Sequence, residues 1–131
     1  MAANPVLVDS SYYITVARQG MDPLRTLAIT AMERDIAICG VVRCEVSRGI
    51  RDPNIRQKFS RFWDVMLYVP TDNRLWTEAE NLLWEMDRTG KIIPLTDALI
   101  ACCAKRIDAS VLTFDKHFSM VPGLDVISSP A

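Results

Sequence analysis

The sequence is poor in the features that mark several protein classes. No strictly apolar run is longer than Ala98 to Ala104, far short of the ~20 residues a membrane span requires. Charge of neither sign dominates, because fifteen Lys and Arg face sixteen Asp and Glu for a net charge of −1. Disorder is excluded, since it needs a large net charge and few apolar residues, and half of this chain is hydrophobic. Five glycines and seven prolines are too few for a collagen-like or low-complexity chain. The start, Met1-Ala2-Ala3-Asn4-Pro5, has neither a basic stretch nor an apolar one, so no secretory leader is expected. The protein is expected to be soluble and cytoplasmic.

Cysteine is scarce too. Cys39, Cys44, Cys102 and Cys103 form no disulfide framework, and all four sit in apolar sequence. Cys39 and Cys44 have a loose zinc spacing, but adjacent Cys102 and Cys103 would point about 100° apart on a helix. Free, buried thiols are the preferred reading.

What is present suits one domain spanning residues 1–131, since that length is a common domain size and can bury a real core. Short aliphatic strands are expected at Val6–Val8, Ile36–Cys39, Met66–Val69, Ser110–Phe114 and Leu124–Ile127. Helices are expected from Tyr12 to Arg18, Pro23 to Arg34, Val41 to Ile50, Asp52-Pro53 to Trp63, Asp72 to Arg88, and Pro94 to Ala104. Strands that do not alternate, each followed by helices, indicate an α/β fold: a doubly wound, mainly parallel sheet covered on both faces. Such sheets carry their working groups at the carboxyl ends of the strands.

That rule singles out four acids. Asp9 follows the first strand, Glu45 lies one to two turns into the helix after the second, Asp97 opens a late helix, and Asp115 follows Ser110–Phe114. In a parallel sheet all four meet at one edge, where they stay ionised together only if a cation compensates them. Each also has a local explanation. Asp9 can cap its helix, Asp97 can serve the helix dipole, and Asp115 can be a turn residue. Glu45 is harder to explain locally. It falls beside the apolar stripe of its helix and needs a partner, either Arg48 three residues on or a metal ion. An oxygen-only donor set favours Mg²⁺ or Mn²⁺ over zinc.

Four segments together carry a resemblance: Val6-Leu7-Val8-Asp9-Ser10-Ser11, Val41-Val42-Arg43-Cys44-Glu45-Val46, Leu95-Thr96-Asp97-Ala98-Leu99-Ile100-Ala101 and Leu112-Thr113-Phe114-Asp115-Lys116-His117-Phe118. In this order they resemble the PIN-domain ribonucleases, particularly the VapC-like toxins of toxin–antitoxin pairs. The resemblance runs from about Val6 to Ile127. It implies a PIN-like fold and hydrolysis of RNA phosphodiester bonds. It assigns Asp9, Glu45, Asp97 and Asp115 as catalytic and metal-binding acids, with Thr113 and Ser10 in support. Mg²⁺ is the implied cofactor, with Mn²⁺ as the alternative. An RNA substrate, a small cognate antitoxin and a second copy of the chain are the implied partners, with no membrane. A solitary RNA-processing nuclease, or a catalytically silent interaction module of the same fold, is the alternative.

The chain departs from the family in two places. Cys102-Cys103 replaces alanine-rich sequence, and His117 stands where some members carry a further acid. His117, the only histidine, is expected to order its local turn rather than to catalyse. Charge is unevenly spread. Between Arg43 and Arg61 six basic residues against two acids leave +4, whereas two against six between Phe62 and Gly90 leave −4. The basic stretch surrounds Glu45 and can track a phosphate backbone. Tyr12 and Tyr13 can stack on bases or line the core, and Trp84 on a polar helix flank suggests an interface.

Overall fold

The computed structural model describes residues 3 to 130, so Met1 and Ala2, part of the leader reading above, lie outside the described residues. Five strands run parallel in one sheet: β1 (Val6–Val8), β2 (Ile36–Cys39), β3 (Leu67–Val69), β4 (Ser110–Leu112) and β5 (Val126–Ile127). Their spatial order is β3-β2-β1-β4-β5. Val6 pairs with Ile36 on one side and with Ser110 on the other, which makes β1 the central strand. The chain builds outward from β1 through β2 to β3, then crosses back to add β4 and β5. The crevice between β1 and β4 is therefore the point where the winding reverses, the place where such sheets hold ligands.

Six α-helices among the described residues connect the strands. They are α1 (Ser10–Arg18), α2 (Pro23–Thr30), α3 (Gly40–Ser47), α4 (Pro53–Asp64), α5 (Asn73–Arg88) and α6 (Leu95–Arg106). Aspartate starts four of them: Asp9, Asp22, Asp52 and Asp72 each accept a backbone N–H of the first turn. Pro23 and Pro53 sit in the first turn, where a missing N–H costs nothing. No helix among the described residues is long and apolar enough to cross a membrane.

β1, β2 and β4 are buried at every residue, as a sheet covered on both faces requires. The edge strands depart from that expectation. β3 buries only Val69 and leaves Leu67 and Tyr68 exposed, and β5 is half-buried. α6 is buried from Asp97 through Ala104, with Cys102 and Cys103 serving as small apolar side chains. Cys39 is buried as well, but Cys44 is exposed, contrary to the apolar setting expected for all four thiols.

Tyr13, Phe59 and Trp63 form an aromatic pile that locks α1 to α4, with ring centroids 5.4 to 6.1 Å apart. The Trp63 indole N–H donates to the Tyr13 hydroxyl at 3.2 Å. Tyr12 is buried too, its hydroxyl 3.0 Å from Thr26 Oγ1. Both tyrosines therefore line the core and present no face for base stacking.

Several element ends lie inside the expected limits. α2 stops at Thr30 instead of Arg34, because Met32 and Glu33 bond three residues back and tighten the last turn. α3 ends at Ser47 for the same reason, with Gly49 and Ile50 bonding three residues back. β4 ends at Leu112, since the Asp115 N–H turns to the Thr113 hydroxyl at 2.9 Å. β3 starts at Leu67 and β5 at Val126, each shorter than its apolar run.

Candidate metal centre

Asp9 leaves the carboxyl end of β1, where its N–H still pairs with Leu112 O of β4 at 2.9 Å. Its backbone is extended, so the side chain turns back over the start of α1 and accepts the Ser11 N–H at 3.3 Å. The carboxylate is only 2% exposed and needs more than that one partner. Thr113 supplies it, with Oγ1 donating to Asp9 Oδ2 at 2.9 Å. On the other carboxylate oxygen, the Ser10 hydroxyl lies 3.4 Å away.

Ser10 also bridges to α3, where its Oγ donates to Glu45 Oε1 at 3.0 Å. Glu45 is half-buried, as its place beside the apolar stripe of α3 requires. Its local partner is Ser10, while Arg48 acts on it only from a distance. Burial pushes the Glu45 carboxyl above its ordinary range, against the pull of the Ser10 hydroxyl. The charges of Asp9 and Asp115 push it further in the same direction.

On the far side of Asp9, Thr113 accepts the Asp115 N–H, which carries the network to the third acid. Asp115 in turn caps a short 3₁₀ helix, Lys116–Met120, by accepting the His117 N–H at 2.9 Å. That turn folds the imidazole over the acids. His117 Nδ1 lies 2.9 Å from Asp115 Oδ1 and 3.1 Å from Asp97 Oδ2, the first acid on α6. Asp97 is 6% exposed, and burial raises its carboxyl to about 6. Asp115 and Asp9 add to that rise, and His117 opposes it.

The four acids singled out from the sequence thus stand in one hydrogen-bonded network at the β1/β4 crevice. Three of them have a local job as well, since Asp9 and Asp115 do cap and Asp97 does stand in a first helical turn. Among the described residues no Lys or Arg forms an ion pair with any of the four. A carboxylate cluster that is buried or half-buried, mutually repelling and without a Lys or Arg partner is a donor set that suits a hard divalent cation. One ligand atom each from Asp97, Asp115 and His117 lie within 4.8 Å of one another. Asp9 and Glu45 reach that trio through Thr113 and Ser10.

A model of the PIN domain matches residues 6–124. The chain belongs to the PIN-domain family. No curated protein matches it. Solved structures share the PIN fold at low identity. One is VapBC2 from Rickettsia felis bound to a DNA fragment from their promoter, with a TM-score of 0.76 at 22% identity over 94% of this chain and 97% of that one. DNA-bound VapBC from Salmonella typhimurium has a TM-score of 0.75 at 16% identity, covering 95% and 98% of the two chains. VapC20 from Mycobacterium tuberculosis, a sarcin–ricin loop cleaving toxin, has a TM-score of 0.65 at 15% identity, covering 89% and 95%.

Two features of this PIN domain escaped the sequence reading. His117 was expected only to order a turn; it does so and also contacts two of the acids. The Asp115-x-His117 spacing carried that signal, since an aspartate that accepts the N–H two residues on draws that residue back over itself. Ser11 was also missed. Its Oγ lies 3.1 Å from Thr113 Oγ1 and accepts the Phe114 N–H at 3.0 Å.

Two cavities border α3. Arg43, Cys44, Ser47, Pro53, Arg56, Gln57 and Ser60 line one of about 440 Å³ between α3 and α4. Glu45 closes one end of the other, of about 290 Å³, whose walls are Tyr13, Ile14, Ala17, Arg18, Val46, Gly49, Ile50 and Phe59. Arg43 is committed to Asp64 at 3.0 Å and lies over the Trp63 ring, whereas Arg56 is exposed.

Proposed function

We propose that this PIN domain, a single unit over residues 1–131, is a divalent-metal-dependent endoribonuclease and the toxin of a toxin–antitoxin pair. The observation that carries the reading is the network joining Asp9, Glu45, Asp97 and Asp115 through Ser10, Thr113 and His117 at the winding reversal of the sheet. Membership of the PIN family and a fold shared with VapBC toxin–antitoxin complexes support it.

Asp9, Asp97 and Asp115 would hold the cation, Mg²⁺ or Mn²⁺, with Glu45 at its edge. Bound there, the cation supplies a Lewis acid for the scissile phosphate and lowers the pKa of the attacking water. The Glu45 carboxylate, lifted by burial and oriented by Ser10, would accept the proton of the attacking water. Thr113 fixes Asp9, so the central carboxylate needs no reorganisation as charge develops on the phosphate. The basic stretch from Arg43 to Arg61 leads the phosphate backbone toward Glu45, with Arg56 on the open wall of the larger cavity.

The partners follow the same reading. RNA is the substrate, and a short antitoxin segment occupies the cavity that ends on Glu45. A second copy of the chain completes a homodimer. The exposed Trp84, with the Arg88 guanidinium 4.5 Å over its ring, is a contact point for such a partner.

The deciding experiment incubates the chain with structured RNA and Mg²⁺ or Mn²⁺, beside Asp9→Asn and Asp97→Asn. Cleavage that needs the cation, stops with a chelator and falls at least about 100-fold in each variant supports the reading. Equal cleavage by parent and variants removes it.

A further inference from the structure

We propose that His117 is a nitrogen ligand of the cation held by this acidic site, and that it shifts the site's preference from Mg²⁺ toward Mn²⁺ and the later first-row ions. The inference rests on reading the acids as a cation site. It goes beyond that reading in naming an imidazole donor where an all-oxygen set was expected.

Three observations favour the imidazole as a ligand. The first is direction. The Asp115 side chain accepts the His117 N–H and so starts the 3₁₀ helix with the imidazole over the carboxylates. The second is spacing. Around a six-coordinate ion with bonds of roughly 2.1 Å, neighbouring ligand atoms are about 3.0 Å apart. His117 Nδ1 stands 2.9 Å from Asp115 Oδ1 and 3.1 Å from Asp97 Oδ2. The third is room. The His117 side chain is 40% exposed, so the ring can open to admit an ion and close on it without disturbing the core.

The chemical consequence follows from donor type. Carboxylate and water oxygens suit Mg²⁺, whereas imidazole nitrogen binds the first-row transition ions more readily. One nitrogen among oxygens therefore leaves Mg²⁺ binding nearly unchanged and adds affinity for Mn²⁺. The competing arrangement has His117 outside the shell, steadying the two carboxylates by hydrogen bonds alone. That arrangement would serve both ions equally.

The test loads untagged protein with Mn²⁺ alone and records pulsed electron paramagnetic resonance, which detects nitrogen bonded to the ion. The chain has a single histidine, so an imidazole coupling can come only from His117. Replacing its histidine with a ¹⁵N-labelled one must convert the signal. The expected result is that coupling, lost in His117→Gln, with the Mn²⁺ Kd of the variant raised roughly 10- to 100-fold and the Mg²⁺ Kd changed less than about threefold. Bound Mn²⁺ without imidazole coupling, or equal losses for both ions in the variant, overturns the assignment and leaves the cation site intact. No Mn²⁺ binding by the parent, or binding indifferent to Asp97→Asn, overturns the site itself.

Discussion

Thr113 and Asp9, 104 residues apart in sequence, meet through a buried hydrogen bond of 2.9 Å. Its direction is settled by the neighbours. An ionised Asp9 can only accept, and Thr113 Oγ1 already accepts the Asp115 N–H, so its proton points to Asp9. Ser11 accepts the Phe114 N–H and gives its own proton to Thr113. Two hydroxyls thus relay backbone polarity onto one carboxylate.

Thr113→Val keeps the shape and removes the proton donor. A hydrogen bond to a buried charge is worth about 1.5 to 3 kcal/mol, so RNA cleavage should fall roughly 10- to 100-fold. Thr113→Ser should recover most of it. Parallel measurement of kcat/KM and thermal unfolding checks this, and full activity in the valine variant refutes it.

The Asp97 carboxyl sets a pH dependence. In the folded chain it releases its proton near pH 6, against 3.8 as the ordinary value. Between those limits the folded state binds more protons than the unfolded state, so stability falls as pH rises across the window. Solvent at the cluster holds the loss to on the order of 1–2 kcal/mol. The metal-free protein should melt at a lower temperature at pH 7 than near pH 5, and Asp97→Asn should flatten that slope. Saturating Mn²⁺ at pH 7 should restore the melting temperature, because it binds only the folded site.

Arg56 is free to meet phosphate, whereas Arg43 is bound to Asp64 and Trp63. Arg56→Glu should raise KM for RNA about tenfold, leave kcat within about twofold, and make binding less sensitive to salt. Fluorescence anisotropy with an uncleaved RNA across a salt series reads the change directly.

Tyr13→Phe tests the scaffold beneath the acids. The Trp63 indole N–H would lose its acceptor in a buried setting, which costs about 1 to 3 kcal/mol. Lower stability to urea with an unchanged pH profile of cleavage is expected. An unshifted unfolding midpoint would show that the bond contributes nothing.

The sheet and the gathering of its acids were readable because the signals were local and repeated. Val6–Val8 and Ile36–Cys39 are unbroken apolar runs that stop at a turn residue; Asp9 and Asp115 stand beyond strand ends, while Glu45 and Asp97 lie on helices. Element ends were less readable. The last turns of α2 and α3 tighten through bonds that composition does not mark, so Arg34 and Ile50 fell outside their helices. The exposure of Leu67 and Tyr68 depends on which strand takes the edge, and no residue in β3 announces it. Cys44, set between Arg43 and Glu45, is exposed because it takes the outer side of a short helix. The reach of the His117 ring was hidden for a different reason. The backbone turn could be foreseen, but the meeting of its ring with Asp97 depends on α6 packing beside β4.

The assignment of the acids to β1, α3, α6 and the end of β4 bears on synthesis of the chain. Asp9 is made before Asp115, so a product truncated ahead of β4 carries an incomplete set of carboxylates. Under the proposed function, a fragment lacking β4 and Asp115 would not cleave RNA.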